Sequence, residues 1–188
     1  MSVQRRYTSR DLDLLPEIEG IRYEIIDGEL HVSKAPGLEH QFVCLSLGSA
    51  LHIWSMSGDR GRAYSAPGLV FSDDDDVIPD LVWISLDRLG VGRDAAGHIT
   101  VGPDLAIEVL SPGSTNERRD RESKLALYSR RGVDEYWIVD WRQHTVDVFR
   151  RVEGELALVA TLTDGERITS PLLPGFETDV VKLWEPDS

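Results

Sequence analysis

The stretch DLAIEVLSPGSTNERRDRESKLALYSRRGVDEYWIVD, residues 104–140, decides the fold. Asp104 to Ser111 is a nearly continuous apolar run, as a central strand covered on both faces requires. Ser114 and Glu117 have capping-box spacing, which opens a helix that runs to about Arg131 and stops at Gly132. Tyr136 to Asp140 reads as a second short buried strand. Strand, helix and strand in this order point to an α/β arrangement.

Upstream, Tyr64–Phe71 and Ile78–Ile84 have strand composition and flank Asp73–Asp76. Four adjacent like charges resist burial, so that run is expected to be a solvated loop. Glu39 to Ser57 reads as a helix, with Val43, Leu47, Ala50, Leu51 and Trp54 forming one apolar stripe. Before it, two β-prone runs between Arg22 and Ser33 surround Asp27-Gly28, a hairpin signal. Residues 8–15 are expected to be a short helix capped by Thr8 or Ser9. Residues 85–103 read as a loop or broken helix. Downstream, Thr145–Arg150 and Leu156–Leu162 form a hairpin pattern around Glu153-Gly154, and Phe176–Leu183 is extended. The 188 residues suit one domain, 1–188, with no repeat or linker.

Acidic residues outnumber basic ones 33 to 20, a net charge of −13. Bulk attraction to a polyanion or an anionic membrane is therefore excluded, and any nucleic-acid contact needs a local basic patch or bound cations. Cys44 is the single cysteine, which fits a reducing compartment and offers no zinc cluster. The N-terminus has no apolar segment of a secretion signal, and the longest charge-free stretch, Phe42–Gly58, contains four serines and a histidine. A cytoplasmic protein without membrane association is expected.

Two carboxylates, Asp80 and Glu108, interrupt otherwise apolar strand patterns. Away from water each needs a cation, a hydrogen-bond network or an edge position. Pairing with some of the 17 arginines would satisfy them singly. Two strand carboxylates converging at a sheet edge would instead make a site for a hard cation. Lysine is scarce, with only Lys34, Lys124 and Lys182. Asp120, Lys124 and Tyr128 recur every fourth residue on one face of the helix after the Glu108 strand. An ordinary surface ion pair between Asp120 and Lys124 is the plain reading of that spacing.

These residues together resemble the Uma family of restriction-endonuclease-like proteins, a branch of the PD-(D/E)xK nuclease superfamily. The resemblance rests on Pro79-Asp80, Glu108-Val-Leu-Ser-Pro112, Asp120-x-x-x-Lys124-x-x-x-Tyr128 and Gly132-Val-x-Glu-Tyr-Trp, in that order. Arg22-Tyr-Glu24-Ile-Ile-Asp-Gly-Glu-Leu, Pro36 and His40 resemble the opening segment, and the match spans about residues 8–184. It implies a mixed β-sheet flanked by helices, with an N-terminal hairpin and a C-terminal β-hairpin added. It also implies a Mg²⁺-dependent endonuclease, with Mn²⁺ as a substitute and DNA as the expected polymer. Carried over residue by residue, Asp80, Glu108 and the Val109 carbonyl would hold the metal, and Lys124 would be the catalytic lysine. Glu24 would hold a metal-bound water or a second ion. Asp120 and Tyr128 would position Lys124, and Ser111 would support the metal strand or cap the loop. One departure is plain: the superfamily lysine, two residues after the acid on the same strand face, is replaced here by Leu110.

The helix also supplies a basic patch, since residues 117–131 carry six basic and three acidic side chains. Arg118 and Arg121 are candidate phosphate contacts. His40 receives no role beyond structure. A homodimer is expected, because two copies present two sites to two strands. Two alternatives stay open: a nuclease-fold binding or regulatory module without turnover, and a phosphoesterase acting on small nucleotides.

Overall fold

The computed structural model describes residues 5–58 and 60–184. At its centre lies β7 (Leu105–Val109), buried at all five positions, beside β8 (Glu135–Asp140), buried at all six. The two run parallel. Their crossover is the helical stretch α4 (Ser114–Arg118), a π-helical turn (Arg119–Lys124) and α5 (Leu125–Arg130). The sheet has six strands in the order β10-β9-β8-β7-β6-β3. These add β3 (Gly61–Ser65), β6 (Leu81–Ser85), β9 (Thr145–Val152) and β10 (Glu155–Leu162), with every pairing but β7–β8 antiparallel.

Alternation along β7 builds two cores. Leu105, Ile107 and Val109 pack with Val43, Leu47 and Leu51 of α2 (Leu38–Met56) and with Ile168, Leu173 and Phe176. Ala106 and, just past the strand, Leu110 pack with Leu127 and Tyr128 of α5 and with Val133. The α2 apolar stripe therefore faces the sheet, as its spacing predicts. No helix is long and apolar enough to cross a membrane among the described residues.

A second sheet, β2-β1-β5-β4, contains β1 (Ile21–Ile26), β2 (Glu29–Lys34), β4 (Leu69–Ser72) and β5 (Asp75–Val77). Asp27 and Gly28 both have positive φ, 52° and 74°, so the predicted hairpin closes through the tight turn that Asp-Gly favours. The later hairpin, β9–β10, also forms. A small ladder of β11 (Arg167–Thr169) and β12 (Glu177–Asp179), then a 3₁₀ turn over Val180–Leu183, replaces the expected extended tail.

Several expectations are corrected. The Asp73–Asp76 run is only half a loop: Asp75 opens β5 and is buried, because Arg130 and Arg131 pair with it at 2.9 and 2.6 Å. Tyr64–Phe71 is not one strand. Ala66, Pro67 and Gly68 break it into β3 and β4, which belong to different sheets. Asp80 stands one residue before β6 rather than within a strand, since Pro79 cannot donate to a ladder. The helix after Glu108 begins with Gly113 as its cap and Ser114 as its first residue. The N-terminal helix, α1, shrinks to Ser9–Leu12, with the Asp11 carboxylate accepting the Thr8 N–H. Residues 85–103 contain one short helix, α3 (Leu86–Val91).

Candidate active site

The antiparallel β6–β7 register pairs Leu81 with Ile107. Continued by one residue, it sets Asp80 opposite Glu108, and both line one cavity of about 30 Å³. Such a volume has room for an ion or a water rather than for a substrate. Glu24 of β1, Val109, Ser111, Arg119, Asp120, Lys124, Arg22 and His40 also line it. Three separate parts of the fold thus converge: the hairpin, the β6–β7 edge and the π-helical turn.

Lys124 is the hub. Its side chain is 1 % exposed, and Nζ lies 2.8 Å from Glu24, 2.9 Å from Glu108 and 3.9 Å from Asp120. A surface pair between Asp120 and Lys124 is excluded by that burial. The π-helical turn spans both residues, and such widened turns commonly mark functional positions in helices. Fourfold spacing alone gives no sign of it. The Tyr128 hydroxyl donates to Glu108 Oε1 at 2.8 Å, the oxygen that also receives Lys124, so Tyr128 touches the acid directly. Arg119 joins Glu24 at 3.4 Å and Asp120 at 3.0 Å. Leu110 packs in the core beneath α5, so that sheet face receives its ammonium from the covering helix instead.

Asp80 has its own partners. Val109 N–H donates to Oδ2 at 2.9 Å, His40 Nε2 lies 3.1 Å from the same oxygen, and Arg22 is 3.7 Å from Oδ1. Burial works against its charge, yet the His40 contact, the Val109 N–H and Lys124 hold its carboxyl below the usual range. Glu24 is likewise held low, by Lys124 and Arg119 against the cost of burial. Glu108 goes the other way: burial, with Asp120, Asp80 and Glu24 nearby, pushes it up to about 8 despite Lys124. Lys124 stays charged, raised by its three carboxylate neighbours against burial.

Among the buried side chains the charges do not balance: Glu24, Asp80, Glu108 and Asp120 face two enclosed cations, Lys124 and Arg119, while the one-third exposed Arg22 and the exposed Lys34 stand at the cavity's rim. In a region of low dielectric such an excess draws either a proton, as at Glu108, or a bound cation. Carboxylate oxygens at a cavity of this size suit a hard divalent ion. Among the described residues, the trio of potential ligands whose donor atoms lie within 4.8 Å of one another is His40, Cys44 and Asp80. However, the His40 ring lies between the other two, Nε2 toward Asp80 and Nδ1 3.5 Å from Cys44 Sγ, so it bridges them. Burial, then Asp80 and Glu108, pushes the Cys44 thiol up, which disfavours a thiolate ligand.

The sequence pattern gives His40 and Arg22 no role and marks Arg119 only as one of the helix cations. His40 holds Asp80, and the one signal for it is its place in the opening-segment resemblance. Arg118 and Arg121 are not among the residues lining the cavity. Arg118 is exposed and pairs with Glu122, while Arg121 is bound to Asp147 at 2.8 Å and Asp140 at 3.7 Å.

No curated protein matches. The crystal structure of a "putative nuclease belonging to DUF820" from Anabaena variabilis superposes with a TM-score of 0.73 at 20% sequence identity, covering 94% of this chain and 97% of that one. At that identity the likeness shows the fold, a mixed sheet flanked by helices. A family model described as "Putative restriction endonuclease" matches residues 10–181, and on that match the chain belongs to the Uma2 family.

Proposed function

We propose that the chain is an endonuclease that hydrolyses phosphodiester bonds in DNA with Mg²⁺, Mn²⁺ serving as a substitute. The observation that carries this reading is the unbalanced carboxylate cluster around Lys124. Asp80, Glu108 and the Val109 carbonyl would hold the ion, which lowers the pKa of a bound water and offsets charge on phosphate oxygens. His40, Arg22 and the Val109 N–H orient the Asp80 carboxylate toward the cavity. Tyr128 and Lys124 hold Glu108 by one oxygen, Oε1. Lys124 is the buried ammonium at the cavity, fixed by three carboxylates, and it offers a positive charge to a phosphate or an attacking water. Arg119 and Asp120 keep it in place, with Glu24 bracing it from the hairpin. Ser111, at the cavity wall, supports the ligands from the loop. Arg118, exposed in a neighbouring groove that it shares with Arg119, can trade Glu122 for a phosphate, whereas Arg121 would have to leave Asp147. Two copies in a homodimer would address the two strands of a duplex.

The test is cleavage of duplex and single-stranded substrates with Mg²⁺, with Mn²⁺ and with chelator, for the native chain and for Asp80→Ala and Lys124→Ala. The proposal expects metal-dependent cutting that both substitutions abolish. Binding of DNA without cutting under any ion, unchanged by the substitutions, would make it a binding module instead. Turnover of nucleotides without polymer cleavage would make it a phosphoesterase.

A further inference from the structure

Helix α2 has two apolar faces, and the fold uses one. Val43, Leu47 and Leu51 enter the core. On the opposite side Leu38, Phe42, Leu45, Ser49, His52 and Met56 follow one another at alternating four- and three-residue steps. That is the spacing of a coiled-coil seam. Leu38 is 83 % exposed, Leu45 69 % and Met56 75 %, with Ile53 and Phe42 also open and Tyr64 of the edge strand β3 beside them. We propose that this face pairs antiparallel with the same face of a second copy of the chain.

Three features favour a copy over another partner. The seam is self-complementary when reversed about residue 47: Leu38 meets Met56 of the partner subunit, Phe42 meets the partner's His52, and Leu45 meets the partner's Ser49. The large Leu45 thus sits over a small side chain, as a knob needs a hole. The face is also free of formal charge from Phe42 to Gly58, so two chains of charge −13 meet without like charges opposed. Finally, its six large apolar side chains expose roughly 600–700 Å² per copy, so complete coverage in the pair would bury at most about 1,300 Å², the lower end of the range of specific interfaces. Counting along the helices, the pairing places the two His40 residues about 21 Å apart along the axis, with the two cavities toward opposite ends. The interface does not depend on the nuclease reading.

Sedimentation equilibrium of the full chain at micromolar concentration tests it. The native protein is expected to be a dimer. Leu45→Glu should raise the dimer dissociation constant by about a hundredfold or more, through an unpaired charge at the seam. Adding Ser49→Lys should restore the dimer, because position 49 of one copy faces position 45 of the other. Circular dichroism checks folding. If Leu45→Glu does not fold, Met56→Glu with Leu38→Lys as its rescue takes its place. A native monomer, or a dimer indifferent to Leu45→Glu and Met56→Glu, would overturn the interface. Loss of the dimer without rescue by the paired lysine would overturn the antiparallel register.

Discussion

Replacing Lys124 with methionine tests whether the buried cluster is held by one ammonium. The substitution keeps the unbranched stem and removes the charge. At an effective dielectric near 20, carboxylates at 2.8 and 2.9 Å each attract Nζ by several kcal/mol, most of which repays desolvation. Removing one partner of such a buried set costs about 3–5 kcal/mol. Two features of the site set the size and its pH dependence. Arg119 still reaches Glu24 and Asp120, and Glu108 already takes a proton near pH 8. Without Lys124, Glu24 loses the neighbour that does most to hold its carboxyl low, and Glu108 titrates higher still in the folded chain. The folded state then holds protons that the unfolded state has released, so stability falls as pH rises from 5 toward 9. In the native chain Lys124, whose own pKa is raised, remains charged across that window. Urea unfolding at pH 6 and pH 9 should show a loss near 3 kcal/mol at the lower pH and a larger one at the higher. A difference below about 1 kcal/mol at pH 9, or an equal loss at both values, would refute the charge argument. Glu108→Gln should behave oppositely: it removes an acid from an acid-rich cluster, so stability at pH 9 should hold or rise while metal-dependent cleavage disappears.

Asp75→Asn should cost about 2 kcal/mol by thermal or urea unfolding, because Arg130, Arg131 and the Asp27 N–H all lose a charged acceptor. Burial opposes the Asp75 charge, but the Asp27 N–H and the two arginines hold its pKa below the ordinary value. Its contribution is therefore present above about pH 4 and lost below it, and the native chain should lose stability between pH 5 and 3 more steeply than the variant. His40→Ala leaves Asp80 without its closest side-chain partner, keeping the Val109 N–H and Arg22, and should weaken Mg²⁺ binding, read by calorimetry, about 10- to 100-fold with little loss of fold. Gly61→Ala should destabilise by about 1–3 kcal/mol in a melting assay, since the new methyl would fall 2.4 Å from Trp83 and 2.5 Å from the Ile84 carbonyl.

Legibility in the sequence followed the range of the forces involved. The β7 strand, the helix after it and β8 were readable because local burial patterns and a glycine stop mark them. The Asp27-Gly28 hairpin was readable because its turn demands residues that accept positive φ. The Asp73–Asp76 run misled because the cations that bury Asp75 come from Arg130 and Arg131, more than fifty residues later. The Ala66–Gly68 break is not legible locally, because a run of strand-forming residues does not say which sheet each half joins.

For the site, the one-dimensional record supplied the cast and an order. Asp80, Glu108 and Lys124 stood out by type: acids in apolar surroundings and a rare lysine. Composition determined that bulk charge attracts no polyanion, and periodicity determined which α2 face enters the core. Only the tertiary structure decided that Glu24 meets Lys124 across one hundred residues of chain, that His40 holds Asp80, and that Arg121 is bound elsewhere. The physical reason is that propensity and periodicity act between near neighbours. A buried charge is settled by whatever partners the whole chain brings within about 3 Å, and that is known only when the chain has folded.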